Sequence, residues 1–451
     1  MMTRVRSAVS SILGGMMSSS AEENHAHRAD PPLRFQYCRP EFLALSPDEV
    51  ECSADHISRP ILILKDSKLP WATGYAEVIN AGKSALNEDQ ACCEVVELRK
   101  RPEDHSSPSY TPTSRRRSSL PSADILETID NPEHKELNFH YWGLFDGHGG
   151  SGAAVFASKF LHLHVEEQLQ EVLEILQNPS LQPPTCLGED TTLHPLHPVA
   201  GCSQRGLSRA ASLRGAAGAP GSPNTMTPRF FMEKKIKQES LVVGAIENAF
   251  KEMDAHIGRE RAVYLISGGC TALVVIYLLG KLYVANAGDS RAYKTVQEED
   301  LKFPLIYGEG KKARVLATIG ISRGLGDHDL KVHDSDISIK PFLSCSPEVK
   351  VYDLSQCERG ADDVMVLATD GLWDVLSNEE VAEAITGFLG NCDPDDQHRY
   401  TMTAQDLVMK ARGVLKDRGW RIAGDRLGSG DDISVFIIPL MHSSSNEAEA
   451  S

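Results

Sequence analysis

The chain has 451 residues, of which 63 are acidic and 46 are lysine or arginine, so its formal net charge is −17. A general nucleic-acid binder needs a basic surface to displace counterions from phosphates, and this charge balance argues against one. The longest strongly apolar stretch, 272–279, is far shorter than the roughly 20 residues of a transmembrane helix. The length suits one large domain with extensions, or two to three small domains.

The first twenty residues contain Arg4 and Arg6 and no acidic residue. Apolar residues at helical spacing over 3–17 are consistent with a short amphipathic helix on a membrane surface. A mitochondrial transit peptide has a similar composition, and a disordered terminus is a third interpretation because Gly14-Gly15 ends the pattern early. All three interpretations stay open, and we expect the N-terminal extension, 1–60, to be mostly disordered.

Two internal segments, at about 99–135 and 178–232, are rich in Pro, Ser, Gly and Thr and lack a hydrophobic period. They cannot bury enough apolar surface to offset the entropy of ordering. We interpret both as disordered insertions in loops of a single domain that spans 61–441, followed by a disordered tail at 442–451. Ser118 and Ser212 lie shortly after arginines, as in the sites of basophilic kinases, although such short patterns are common by chance.

The remaining sequence predicts alternating strands and helices, several with clear boundaries. The predicted elements are a strand at Phe139–Phe145, a long helix with Phe156, Phe160, Leu163, Leu169, Val172 and Leu176 on one side, a helix at Ser240–Ile257, a hairpin over 271–286, strands at Val364–Leu367 and Ile433–Ile438, and helices at Asn378–Leu389 and Ala404–Lys416. Ser377 and Glu380 form a capping-box pattern before the third of these helices. Two helix pairs separated by strand clusters predict an α+β fold with an antiparallel sheet core.

Acidic residues recur where an apolar strand meets a glycine-containing turn. They are Glu88, Asp89, Asp146, Asp289, Asp370, Asp374, Asp431 and Asp432. Each pattern alone is commonly just a turn, but carboxylates at the ends of strands in shared sheets converge and repel each other unless a cation neutralises them. Because no cysteine or paired-histidine ligand pattern accompanies them, the oxygen-only set predicts Mg²⁺ or Mn²⁺.

The joint set of motifs resembles the metal-dependent protein phosphatases of the 2C class along about 70–440. The motifs are Asn87–Asp89 (NED), Phe145–Gly150 (FDGHGG), Gly268–Ala272 (GGCTA), Ala285–Arg291 (ANAGDSR), Ser322–Asp327 (SRGLGD), Leu367–Asp374 (LATDGLWD) and Gly428–Ser434 (GSGDDIS). The stretch Trp71–Lys83 and the long insertion after the DGH helix resemble the H/J/M branch, and its H-type member in particular. The resemblance implies two packed antiparallel β-sheets flanked by antiparallel helix pairs, with the metals in a cleft at one end.

The resemblance also implies a role for each of these acidic positions except Asp432, which stands where the family usually has an asparagine and whose role as a ligand is left uncertain. Asp146 would bridge two Mg²⁺ or Mn²⁺ ions, and Glu88 with the Gly147 carbonyl would complete the second site. Asp370 and Asp431 would hold the first ion, while Asp289 and Asp374 would join Asp370 in a weaker third site. Asp89 would orient metal-bound water. A water shared by two ions would attack phosphorus in line, and His148 would protonate the departing serine or threonine oxygen.

Two departures from the family pattern stand out. Ser84 occupies the position of the family's phosphate-clamping arginine, and Lys83 beside it is the candidate substitute, although a lysine lacks the bidentate fork. A surface lysine without function is the alternative interpretation. The stretch after Gly288–Arg291 is also too short to hold the substrate-facing flap and its return strand, so we expect unpaired backbone groups there.

The sequence therefore predicts metal-dependent hydrolysis of phosphoserine and phosphothreonine in proteins. The alternative is a non-catalytic or impaired phosphatase-like binding protein that has lost the flap. The resemblance suggests phosphorylated Rab-type GTPases as substrates, and a cytoplasmic location, free or peripheral on Golgi or vesicle membranes, with the nucleus left open. The ten cysteines include no Cys-x-x-Cys pair and are expected to be free thiols in a reducing compartment.

Overall fold

The structure is a computed structural model that describes residues 35, 39–44, 69–80, 87–99, 137–178, 185–189, 231–289, 306–307, 314–315, 318–333, 335–340, 342–356 and 360–441. Its strands are β1 (Gly74–Val78), β2 (Gln90–Leu98), β3 (Leu137–Phe145), β4 (Gly147–His148), β5 (Thr185–Glu189), β6 (Phe231–Lys235), β7 (Gly269–Cys270), β8 (Ala272–Leu278), β9 (Lys281–Ala287), β10 (Ile306–Tyr307), β11 (Arg314–Val315), β12 (Leu325–Gly326), β13 (Glu348–Asp353), β14 (Val364–Ala368), β15 (Val414–Lys416), β16 (Gly419–Arg421) and β17 (Ile433–Pro439). Its helices are α1 (Gly152–Gln177), α2 (Gln238–Tyr264), α3 (Asp370–Trp373), α4 (Asn378–Leu389) and α5 (Arg399–Arg412).

Two antiparallel sheets form the centre of the described structure. One has the strand order β13-β9-β8-β3-β2, and the other has the order β1-β17-β14. Strand β3 shows how the sheets are covered: Phe139, Tyr141 and Phe145 lie in the cluster that contains α1 and α2, whereas Trp142 and Leu144 lie in the cluster between the sheets. This two-residue alternation with both faces buried follows from strand geometry.

Helices cover the outer face of each sheet. Helices α1 and α2 pack on the larger sheet, and α4 and α5 pack on the smaller one. The chain therefore has the predicted α+β fold, with two packed antiparallel sheets flanked by helix pairs. In the part of the chain that the structure describes, no helix is long and apolar enough to cross a membrane.

The hairpin of β8 and β9 and the bounds of α4 and α5 can be compared directly with the sequence prediction. Strands β8 and β9 form the predicted hairpin, with positive φ at Leu279 and Gly280 in its turn. Helix α4 has the predicted bounds, but α5 ends at Arg412 rather than at Lys416. Gly413 has a φ of 76°, which ends the helix, and the next residues form β15. Leu163, predicted on the buried side of α1, is 46% exposed.

The predicted disordered regions lie mostly outside the described residues, as does the predicted amphipathic helix at 3–17. Strand β5 lies within the predicted insertion at 178–232, and it pairs with β6, which begins at the end of that insertion, in an antiparallel ladder. Part of the N-terminal extension also packs on the core. Leu43 is buried, Phe42 contacts Tyr75 and Phe436, and Arg39 forms an ion pair with the buried carboxylate of Glu77. The folded body therefore includes residues before the predicted boundary at 61.

Replacing Ser377 with alanine is expected to lower the free energy of unfolding by about 1 kcal/mol, the usual cost of losing an N-cap. The Ser377 hydroxyl accepts a hydrogen bond from the Glu380 amide at 3.2 Å, and the Glu380 side chain accepts one from the Ser377 amide at 2.9 Å. Urea unfolding should show the loss. The control Ser377→Asp keeps an acceptor at the cap and should stay close to the parent, and equal losses in both variants would contradict the capping explanation.

Candidate metal centre and active site

The two sheets bring distant acidic residues to one end of the sandwich. Gln90 pairs with Phe145 between β2 and β3, which places Asp89 and Asp146 beside each other just beyond the paired residues. In the other sheet Ala368 pairs with Val435, so Asp370 after β14 lies near Asp431 before β17. Strand ends are rigid positions, and the antiparallel registers explain why these carboxylates converge.

Asp89 links the two sheets. Its carboxylate accepts hydrogen bonds from the Thr369 hydroxyl and from the Ser434 hydroxyl, each at 2.9 Å, and the residue is 1% exposed. Its pKa is raised well above the ordinary value, mainly by burial and then by the neighbouring Asp432 charge. Asp89 is therefore a buried link between the two sheets, and its predicted role in orienting metal-bound water stays a prediction.

Asp146 and Asp370 form the inner part of the acidic cluster. Burial raises the pKa of Asp146 well above its ordinary value, and the negative charges of Asp89, Asp370, Asp289 and Asp431 raise it further. Burial, followed by the charges of Asp289, Asp431 and Asp374, raises the pKa of Asp370 to about 6. Like charges held together disfavour ionisation, and the neighbours that raise these two pKa values are Asp89, Asp289, Asp374 and Asp431.

The other predicted ligands lie around this pair. Asp289, Asp374 and Asp431 are exposed at the rim, and Glu88 is half-buried. Gly147 lies against the backbone of Glu88, since a Cβ atom at Gly147 would come within 2.4 Å of the Glu88 carbonyl oxygen. The absence of a side chain at Gly147 thus allows two predicted ligands to approach each other.

The donor set fits a hard divalent cation because it consists of carboxylate and carbonyl oxygens. The raised pKa values of Asp146 and Asp370 reflect repulsion between the carboxylates, and a bound cation would relieve this repulsion. The pKa shifts and the donor set therefore both favour a cation at this position. As the side chains stand, no group of three or more His, Cys, Asp or Glu residues within the described ranges is spaced to enclose an ion.

A second feature of the site is the contact between His148 and Asp327, whose Nε2 and Oδ2 atoms are 2.8 Å apart. Three short strands produce it: His148 pairs with Gly269, and Gly269 pairs with Gly326, the residue before Asp327. A Cβ atom at Gly269 would lie 2.3 Å from Asp327 Oδ2, so only glycine leaves room for the contact. Asp327 belongs to the SRGLGD motif, but the sequence did not indicate its role.

Asp432 and Arg412 hold the loops that carry Glu88 and Asp431 in place. One Asp432 oxygen accepts from the Asn80 amide at 2.6 Å, and the other accepts from the Glu88 amide at 3.2 Å. Arg412, which is 2% exposed, donates to the carbonyls of Ile79 and Asp431 at 2.6 and 2.8 Å. An asparagine at 432 could not accept from both amides through two oxygens. The aspartate therefore has a structural role here, which the sequence had left uncertain.

The remaining predicted site residue, Lys83, lies outside the described residues, as does the stretch 290–305 where the flap was predicted to be missing. Strand β9, which leads into that stretch, pairs with β8 on one side and with β13 on the other. The unpaired backbone groups were predicted after Arg291, in a stretch outside the described residues, so that expectation stays a prediction. Five of the cysteines are free thiols in the structure, as expected: Cys92, Cys93, Cys270, Cys345 and Cys392.

Comparison with known proteins identifies the class to which this fold and site belong. The family model of protein phosphatase 2C matches residues 222–301 and 306–412. A Danio rerio protein described as Protein phosphatase 1H is 74% identical over 98% of this chain and 98% of its own length. The chain therefore belongs to the protein phosphatase 2C family, whose members are Mg²⁺- or Mn²⁺-dependent, and it is a Ser/Thr protein phosphatase.

Two further relatives assign the branch. Protein phosphatase 1H of Homo sapiens is 58% identical over 98% of this chain and 99% of its own length. Protein phosphatase 1J of Rattus norvegicus is 45% identical over 91% of this chain and 87% of its own length. These similarities confirm the predicted H/J branch and its H type.

The alignment with the Danio rerio relative is longer than this chain. The alignment with the Danio rerio relative runs over 510 positions, whereas this chain has 451 residues, so at least 59 positions of the alignment have no counterpart here. The family match is interrupted at 302–305, shortly after the ANAGDSR motif at Ala285–Arg291. Neither observation locates the unmatched positions in the stretch after Arg291, so the missing flap stays a prediction.

Proposed function

We propose that this phosphatase hydrolyses phosphoserine and phosphothreonine esters in the acidic cleft, with His148 as general acid. The observation that carries the proposal is the meeting of Asp146 and Asp370 from different sheets, beside a histidine held by Asp327. Asp146, the Gly147 carbonyl and Glu88 would hold one ion, and Asp370 and Asp431 would complete the site of the other. Divalent cations bound there supply Lewis-acid chemistry that acidifies water and draws charge from phosphoryl oxygens.

The protein's own groups supply the rest of the chemistry. A protonated His148 can donate through Nε2 to Asp327 and keep its other N–H for the departing serine or threonine oxygen. Its side chain is 35% exposed, so substrate can reach it, whereas the Asp327 side chain is 2% exposed and cannot compete for substrate. Asp289 and Asp374, exposed at the rim beside Asp370, would form the weaker third metal site. Lys83 is the proposed contact for the substrate phosphate.

Removing one ligand from each proposed metal site tests the assignment. Glu88→Gln and Asp431→Asn are expected to lower kcat by about 100-fold on a phosphothreonine peptide and to raise the Mn²⁺ concentration needed for half-maximal rate. Asp374→Asn, in the weaker site, should change kcat by less than about tenfold. The matched control is Asp336→Asn, since Asp336 is fully exposed and forms a surface ion pair with Lys331. Equal losses in the control would contradict a metal-specific role.

The missing positions favour a second candidate, a phosphatase-like protein that binds phosphoproteins but hydrolyses them poorly. We hypothesise that loss of the flap lowers stability and selectivity while the metal carboxylates remain. Hydrolysis of a small aryl phosphate together with failure on a phosphoprotein would support this candidate. Turnover and thermal unfolding equal to those of a flap-containing relative would refute it.

The finer predictions on partners and location remain proposals. Phosphorylated Rab-type GTPases are the proposed substrates, and the cytoplasm, with peripheral contact to Golgi or vesicle membranes through 3–17, is the proposed location. Release of phosphate from a phosphorylated Rab protein, compared with an unrelated phosphoprotein of equal concentration, tests the first. Binding of lipid vesicles by the full chain, and its loss when residues 3–17 are deleted, tests the second.

A further inference from the structure

A cavity of about 520 Å³ lies next to the proposed general acid. His148 and Asp327 line it together with residues of α2, the segment after β11 and the loop after β12. The volume is within the usual range of ligand pockets, roughly 300–1,000 Å³. His148 would protonate the serine or threonine oxygen that leaves the phosphate. The cavity beside His148 would therefore face the part of the substrate polypeptide that carries this oxygen.

The walls of the cavity are mainly apolar. Ile257 projects from α2, Ile266 follows the helix, and Ile319 and Leu330 lie on the opposite segments. Gly268 contributes bare backbone, since a Cβ atom there would come within 2.0 Å of the His148 carbonyl oxygen. Such a surface gains free energy when an apolar side chain displaces water from it.

The charged groups in the lining are already compensated by the protein. Arg261 donates two hydrogen bonds to the Asp329 carboxylate, both at 3.0 Å, and a third to the Gly258 carbonyl at 2.7 Å. His328 Nε2 lies 3.0 Å from the Asp254 carbonyl oxygen. An acidic or basic ligand group would have to break these contacts, so the charge arrangement favours an uncharged apolar occupant.

We propose that this cavity is a specificity subsite that binds an apolar side chain next to the phosphorylated residue of a protein substrate. The inference rests on the proposed function, because it uses the placement of the leaving oxygen beside His148. The occupant is a leucine-like side chain on the substrate, within a few residues of the phosphothreonine. At about 520 Å³ the cavity is larger than one leucine side chain, so part of the substrate backbone can enter with it.

The experiment uses the full chain and phosphothreonine peptides in which each flanking position carries leucine, glutamate, lysine or glycine. Leucine at one or two flanking positions is expected to raise kcat/KM by about tenfold over glycine. Ile319→Ala should remove most of this preference and leave turnover of a small aryl phosphate unchanged. Ile321→Ala is the matched control, because both isoleucines are 9% exposed and belong to the same apolar cluster, and only Ile319 lines the cavity.

The outcomes separate the subsite from the proposed function. Loss of aryl phosphate hydrolysis in the parent chain would refute the proposed function, whereas normal aryl phosphate turnover without any leucine preference would overturn the subsite alone. A preference for glutamate would also overturn it and would make Arg261 the determinant. If Ile319→Ala does not fold, Leu330→Ala provides the same measurement, and a leucine preference unchanged in a folded cavity variant would equally refute the subsite.

Discussion

Asp146→Asn is expected to abolish metal-dependent turnover and, at the same time, to stabilise the metal-free protein at pH 7. The first effect follows from the loss of the proposed bridging ligand and should exceed about 10³-fold in kcat. The second follows because burial and four neighbouring carboxylates raise the pKa of Asp146, so its ionised form destabilises the folded state. We expect the variant to have a higher free energy of unfolding than the parent chain, measured by urea titration in chelator.

The pH dependence has a definite sign. The folded metal-free protein keeps protons on Asp146 and Asp370 at pH values where the unfolded chain has released them. The free energy of unfolding therefore falls as the pH rises from about 4 through the folded pKa values. For Asp370 the folded pKa is about 6. Asp146→Asn should flatten this fall. Saturating Mg²⁺ should stabilise the parent chain and have a smaller effect on the variant, because ligand binding stabilises only the state that binds it.

Asp254→Asn is the matched control for this prediction. Asp254 is also buried, but its carboxylate accepts hydrogen bonds from Lys340 at 2.6 Å and from the Gly326 amide at 2.9 Å. His328 and Lys340 lower its pKa despite the opposing effect of burial. Its contribution to stability is therefore present above the unfolded pKa and is lost as pH falls, so Asp254→Asn should destabilise the protein at pH 7. Destabilisation by both substitutions in chelator would show that the cluster is not repulsive.

The sequence predicted the acidic cluster because its pattern is local at each position. Asp146 and Asp370 each follow an apolar strand and precede a glycine, and antiparallel strands then bring the ends together. It also predicted α4 from its capping box, since the box lies within four consecutive residues. The end of α5 was wrong because an apolar strand, Val414–Lys416, continues after Gly413 and extends the apparent helical pattern.

The contacts that the sequence missed depend on registers between distant segments. Asp327 reaches His148 across 179 residues through three two-residue strands, which have no detectable period. Asp432 reaches the Asn80 amide across 352 residues, and Arg412 reaches the Ile79 carbonyl across 333. A buried arginine that donates to backbone carbonyls has no local sequence signature, because every residue of the chain has a backbone carbonyl. Only the folded chain shows which carbonyls these are.

His148→Gln is expected to slow hydrolysis of a phosphothreonine peptide by about 10³-fold, but hydrolysis of an aryl phosphate with an acidic phenol by tenfold or less. An alkoxide needs a proton as it departs, whereas a stabilised phenolate does not, and general acid catalysis contributes about 10²–10⁴-fold. Asp327→Asn should show the same selective loss at a smaller size, about 10–100-fold on the peptide, because Asp327 acts only through the histidine. Steady-state rates on both substrates at saturating Mn²⁺ provide the measurement.

Gly269→Ala extends this prediction to a residue that has no functional group. Its new Cβ atom would lie 2.3 Å from Asp327 Oδ2 and 2.6 Å from the Leu325 carbonyl oxygen, so the aspartate must leave its position beside His148. The peptide rate should fall more than the aryl phosphate rate, as in Asp327→Asn. Gly244→Ala is the control, since a Cβ atom there meets nothing within 4 Å and alanine favours the helix. Equal losses on the two substrates in the His148, Asp327 and Gly269 variants would mean that these residues maintain the fold of the cleft and do not deliver the proton.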